Sequence, residues 1–283
     1  MRPYTRFPSP FLTLALVFVL SGFGGLDALF APQPELWARW TAHEPGSTES
    51  VDHRPWDGFL RRNVTPDANG LSRLAYGKVS QADRTVLANY LNSLGAIKPG
   101  TLSRPHQKTY WINLYNALVV KLVLDHKPEK SIQDIDISPG LFSSGPWNAK
   151  LIEVEGEQIS LNDIEHRILR PIWNDPRLHY AVNCASVGCP NLQQTAFTPE
   201  HLEEMLDHAA RAYINSPRGV RTGPDGLVIS KIYAWFQADF GGTEDGVRKH
   251  LLKYAFGKIA ESLKSGTPIS GFEYDWRLNS ALP

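Results

Sequence analysis

The segment His106–His126 sets the first condition on the fold. Trp111, Ile112, Leu114, Tyr115, Leu118, Val119, Leu122 and Val123 surround it almost completely with apolar groups. A helix apolar on all sides has to be buried on all sides, so the rest of the chain must pack around it. Asn113 and Asn116, three apart, are neighbours on one of its faces. A buried amide left unpaired costs about 1–3 kcal/mol. Both therefore require polar partners, either nearby loop backbone or a polar cleft that they line. The 42% hydrophobic content and eight tryptophans supply material for such a core.

The flanking segments supply the surrounding elements. Phe59–Asn63 extends a short helix, and Asp67–Gly70 reads as a turn through its Asn-Gly pair. Ser80 caps a helix carrying Val86, Leu87, Tyr90, Leu91 and Leu94 at helical spacing, which Gly95 closes. Lys150–Val154 and Gln158–Ile159 flank Glu155-Gly156-Glu157 as a hairpin. Ser160 then caps a helix with Asp163 in its first turn, and Pro171 marks its end or a break. His179–Asn183 predicts a short strand running into Cys184. A helix from Thr198 to about Ile214 and a strand at Leu227–Ile229 follow. Ser230 caps the helix KIYAWFQADF, which Gly241-Gly242 ends. One further helix spans about Asp245–Leu263, and Ile269–Leu278 reads as a last strand. Strands interspersed with helices predict an α+β fold, with several helices around a small mixed or antiparallel sheet. No linker, charge block or repeat divides residues 32–283, which are expected to form one domain.

Residues 1–31 read as a signal segment. Arg2 and Arg6 precede an apolar run, Phe11–Leu20, followed by small residues. The run is about half of the roughly 20 residues that a spanning helix needs, so an exported chain, periplasmic or secreted, with no stable membrane span is expected. Lys+Arg and Asp+Glu balance at 29 each. Without a basic stripe interleaved with aromatics, nucleic acid is not expected as a partner. The partner is an unspecified substrate or protein.

The only two cysteines, Cys184 and Cys189, lie together in NCASVGCP. Cys184 stands where an apolar stretch gives way to Ala185, Ser186 and Gly188, small residues that let a substrate approach. A thiolate nucleophile needs a neighbouring base or positive field. In an exported chain the pair also suits a disulfide across a tight loop, and an inert or metal-bound cysteine is a third reading. The Cys-x4-Cys spacing lacks a fixed histidine pair, so no metal or cofactor is expected. Glu165-His166 are the nearest candidate partners. On a helical projection Glu165 falls within the apolar face of Leu161, Ile164, Ile168, Leu169 and Ile172, where a carboxylate needs pairing, while His166 points to its side. His179 is a competing base, but alternation along a strand sets it opposite Cys184. The DFG string at Asp239–Gly241 has no accompanying kinase motifs.

YWINLYNALVVKLVLDH, ISLNDIEHRILRP, DPRLHYAVNCASVGCP, ISKIYAWFQADFG and YDWRLN, in that order, resemble the domain-of-unknown-function family 547 over roughly residues 35–279. With its leader the chain resembles the family's exported branch. The resemblance implies an α/β fold related to papain- or transglutaminase-like thiol enzymes, and a Cys–His–Glu constellation falling on Cys184, His166 and Glu165. Two functional classes follow. One is a thiol-dependent hydrolase or acyl transferase acting on a peptide or amide bond, with Asn113 or Asn116 positioning substrate. The other is a non-catalytic binding module with a Cys184–Cys189 disulfide.

Overall fold

The computed structural model describes residues 31–140 and 145–281. The apolar run expected to form the leader lies outside the described residues. At the centre is the helix α3, Arg104–His126, whose Tyr110 to Leu124 are buried except Lys121. Its two asparagines bond loop backbone. Asn113 Nδ2 donates to the Phe197 carbonyl at 2.8 Å and its Oδ1 accepts from Phe197 N. Asn116 Nδ2 donates to the Ala181 carbonyl at 2.9 Å and its Oδ1 accepts from Asn183 N. Each side chain thereby ties one loop segment to the core helix.

Around α3 pack α1 (Arg54–Asn63), which begins earlier than expected because Pro55 suits a first helical turn, and α2 (Gln81–Gly95), capped by Ser80 Oγ on Asp83 N. The hairpin of β1 (Val64–Pro66) and β2 (Ser72–Leu74) lies between them in sequence, turned by Asp67 and Gly70 at φ 74°. The second hairpin pairs β3 (Ile152–Val154) with β4 (Glu157–Ile159); Glu155 and Gly156 both take positive φ, as a tight two-residue turn requires.

A second cluster of the core forms between α5 (Leu202–Ile214), α7 (Glu244–Tyr254), α8 (Gly257–Lys264) and a three-stranded sheet. In that sheet β5 (Val220–Gly223) pairs antiparallel with β6 (Gly226–Ser230), and β6 pairs parallel with β7 (Ile269–Glu273). The fold is a single α+β domain, but its strands form three small sheets instead of one. The helix expected over Asp245–Leu263 breaks at Ala255–Gly257, where Ala255 and Phe256 are extended and Gly257 has φ 55°. Strand β7 ends at Glu273, short of Leu278; beyond it the chain makes irregular backbone contacts with the cysteine loop. No helix among the described residues is long and apolar enough to cross a membrane.

Two local departures from expectation shape the site. The helix after Ser160 is π-helical over Asp163–Leu169, with Arg170 N donating to Glu165 O across five residues. It then continues as α4 (Arg170–Trp173) through Pro171. Pro171 has no N–H to donate backwards. The carbonyls of His166 and Arg167 instead accept from Glu35 N and Trp37 N, each at 2.9 Å, which straps the extended N-terminal segment along this helix. The segment before Cys184 is the other departure. Pro176–Tyr180 is a 3-10 helix capped by Asp175, so the expected strand, and the alternation argument against His179, both fall.

Candidate active site around Cys184

The cysteine loop is braced from every side. Asn116 holds its entry through Ala181 and Asn183. Asn183 then spans the loop, accepting from Ala185 N through Oδ1 and donating to the Pro190 carbonyl at 2.6 Å. Ala185 takes φ 58°, an uncommon left-handed setting for a residue with a Cβ. The chain beyond β7 runs alongside: Gly188 N donates to Asp275 O and Val187 N to Arg277 O, both at 2.7 Å, and Asn279 N donates to Ala185 O. Tyr213 Oη donates to Gly188 O, and the Arg218 guanidinium to Cys189 O. A Cβ on Gly188 would come within 2.6 Å of Asp275 N and 3.1 Å of Tyr274 Cδ1. Gly188→Ala is therefore expected to push Tyr274 away from the loop and lower the melting temperature, by an amount reflecting overpacking of about 1–3 kcal/mol.

That clash matters because Tyr274 reaches the nucleophile candidate. Cys184 Sγ lies 3.0 Å from Tyr274 Oη and 3.2 Å from Ser186 Oγ, and the two hydroxyls are 3.0 Å apart. The Cys184 N–H points at Cys189 Sγ, 2.9 Å away. Both cysteines are free thiols. Burial alone would raise the Cys184 thiol, but hydrogen bonds from Cys189, Ser186 and Tyr274 outweigh it and hold the group below its ordinary value. Burial, and then the adjacent Cys184, push Cys189 well above its own. Burial likewise keeps the Tyr274 phenol protonated as a donor.

Cys184 opens on a cavity of about 280 Å³. Glu165, His166 and His179 line it together with Trp147, Trp235, Phe236, Tyr274 and Trp276, and Ala31 and Pro32 of the N-terminal strap form part of its wall. The π-helical turn brings both Glu165 and His166 to this cavity, although a regular helix would send them to different sides. Cys184, His166 and Glu165 thus share one cavity, but each has other bonding partners. Glu165 Oε2 accepts from Tyr115 Oη at 2.9 Å. His166 Nδ1 lies 3.0 Å from Arg170 Nη1. A guanidinium only donates, so Nδ1 accepts and the proton of the neutral ring sits on Nε2. Burial lowers this histidine to about 4, leaving it neutral at pH 7 and suited to donate a hydrogen bond.

His179 has the geometry of an oriented base. Its Nε2 lies 2.6 Å from Asp239 Oδ2. Burial raises the Asp239 carboxyl, but hydrogen bonds from His179 and Arg170 outweigh this and hold it far below the usual range. An ionised carboxylate accepts, so Nε2 carries a proton, and Nδ1 faces the Glu165 carboxylate, whose Oε1 lies 3.9 Å from it. The ring stacks on Phe236 at 4.4 Å. Arg170, buried, ties the group together: it donates to both Asp239 oxygens at 2.6 and 3.2 Å and to Pro32 O, and lies 4.7 Å over Phe236. Asn113 and Asn116 do not line the cavity: Asn116 holds the approach to the cysteine loop from behind, and Asn113 is bonded to the backbone of Phe197.

The model of a family described as protein of unknown function, DUF547, matches residues 99–214. The DUF547 match takes in the central helix, Glu165, His166, His179 and both cysteines, over a shorter span than the expected 35–279. Asp239 and Tyr274 lie beyond the DUF547 segment, and the fold brings them to it. No curated protein and no solved structure matches the chain. Among the described residues, no group of three or more His, Cys, Asp or Glu side chains is placed to hold a metal ion.

Proposed function

We propose that the chain is an exported cysteine-dependent hydrolase or acyl transferase in which Cys184 is the nucleophile. The observation that carries this reading is the Cys184 sulfur, held by two hydroxyls at the edge of an aromatic-walled cavity that also contains an Asp-oriented histidine. Charge-assisted hydrogen bonds from Tyr274 and Ser186 favour the thiolate. The thiolate adds to the acyl carbon of an ester or amide. His179, held by its Nε2–H on Asp239, takes the Cys184 proton at Nδ1, delivers it to the leaving group, and later takes one from the attacking water or acceptor. Neutral His166 serves as a donor to developing negative charge. Relative to the Cys184–His166–Glu165 set expected from the family resemblance, His179 and Asp239 take over the base and orienter roles.

A panel of acyl esters, thioesters and peptide amides, assayed with the intact chain and with Cys184→Ala, tests this. The expected result is turnover of at least one acyl class that falls to background in the variant while circular dichroism is unchanged. Equal turnover by both proteins would contradict the reading.

A further inference from the structure

Acyl transfer by Cys184 gives no task to a second thiol, yet Cys189 is packed against it. Its sulfur sits 2.9 Å from the Cys184 backbone nitrogen. The loop between them is turned by Ala185 in the left-handed region and by Cys189 N donating to Ser186 O at 3.2 Å. The pair is asymmetric. Both residues border the cavity, but Cys184 is part-exposed with hydroxyls around its sulfur, whereas Cys189 is 4% exposed, its thiol directed at the Val182 carbonyl 3.8 Å away. The more exposed Cys184 is therefore the first to meet a reagent arriving through the cavity, and the more buried Cys189 is packed beside it.

We infer that Cys184 and Cys189 form a redox pair, in which Cys184 attacks a hydroperoxide and Cys189 resolves the sulfenic acid that results. In the first step the Cys184 thiolate adds to the terminal peroxide oxygen and the O–O bond breaks. The departing alkoxide or hydroxide takes a proton from the Tyr274–Ser186 hydroxyl pair, which solvent replaces. In the second step the Cys189 sulfur, giving up its proton, displaces hydroxide from Cys184, and the two leave as water while the S–S bond forms. The dithiol has lost two electrons and the hydroperoxide has become an alcohol or water. A small-molecule dithiol returns the pair to the reduced state by exchange. The opposite directions in which the two thiols are displaced from their ordinary acidity agree with this division of labour.

The test is made on the reduced full chain, treated with stoichiometric hydrogen peroxide, alkylated with iodoacetamide and digested with trypsin, since one peptide, Leu178–Arg211, carries both cysteines. Wild type is expected to lose two hydrogens from this peptide and both alkylation sites, and to regain both sites after dithiothreitol. Cys189→Ser is expected to accumulate a dimedone-reactive sulfenic acid on Cys184, and Cys184→Ser to leave Cys189 unmodified. Wild type that keeps both alkylation sites, or proceeds to sulfinic acid without a disulfide, overturns the inference, as does a disulfide that dithiothreitol opens only on unfolding. These readouts are masses, so they stand or fall apart from any hydrolytic turnover.

Discussion

Asp239→Asn is expected to lower kcat/KM on the best acyl substrate by about 10²–10⁴, the range that a correctly poised acid–base group supplies. Asp239 accepts from His179 Nε2 and from the Arg170 guanidinium at once. Both short contacts, from Arg170 Nε and from His179 Nε2, fall on the same oxygen, Oδ2, so an asparagine that turns its oxygen there keeps both and sets its NH₂ against Arg170 Nη2 instead. What the variant removes is the negative charge beside the imidazole, which supports the ring while it carries a proton between sulfur and leaving group. The fold is retained with a weaker base. A merely structural role would instead show as a lower melting temperature with a proportionate loss of folded, active protein. The distinguishing measurement is the pH profile of kcat/KM: in the variant its His-dependent limb is expected to shift or disappear while the folded fraction at pH 7 is unchanged.

Stability is expected to fall steeply between pH 6.5 and 4. Burial lowers His53, His166 and His250 to about 4 each in the folded chain, against an ordinary value of about 6.5. The unfolded chain therefore binds more protons over this window, and the stability held by the neutral rings, full above pH 6.5, is lost as pH falls toward 4. At about 1.4 kcal/mol per pH unit, each ring is worth roughly 3 kcal/mol, and three together, about 9 kcal/mol, are comparable with the 5–15 kcal/mol typical of a whole domain. Below pH 4 the depressed carboxylates Asp175 and Asp239 add to the loss. Urea unfolding at a series of pH values checks this: a midpoint that is constant from pH 7 to 4 would contradict the burial assigned to these rings.

Much of the fold was legible where one physical requirement dominates. Apolar residues all around residues 106–126 demanded a central helix. The cost of burying Asn113 and Asn116 demanded polar partners, and the structure supplies them as loop backbone. Ser80, Asp67 to Gly70 and Glu155-Gly156 announced a cap and two turns through local chemistry alone. The candidate site was legible only in part. Cys184, Glu165 and His166, grouped from the sequence, line one cavity, but the helical projection assumed a regular turn, and the π-helix changes which neighbours share a face. His179 was discounted by a strand that is a 3-10 helix led by Pro176. Asp239 and Tyr274 are 60 and 90 residues from their partners, beyond any local pattern. Their only sequence signals were an acid within the aromatic run AWFQADF and the presence of YDWRLN among the family-like motifs.

The central claim is that Cys184 is held as a reactive thiolate by its hydroxyl partners. The rate of its alkylation by iodoacetamide, followed by mass spectrometry across pH 5–10 in wild type and Tyr274→Phe, addresses it directly. The expected result is a Cys184 titration below the ordinary thiol value of about 8.5 that moves upward in the variant, with Cys189 remaining slow throughout. Alkylation of Cys184 that titrates at or above the ordinary value, indifferent to the loss of the Tyr274 hydroxyl, would contradict it.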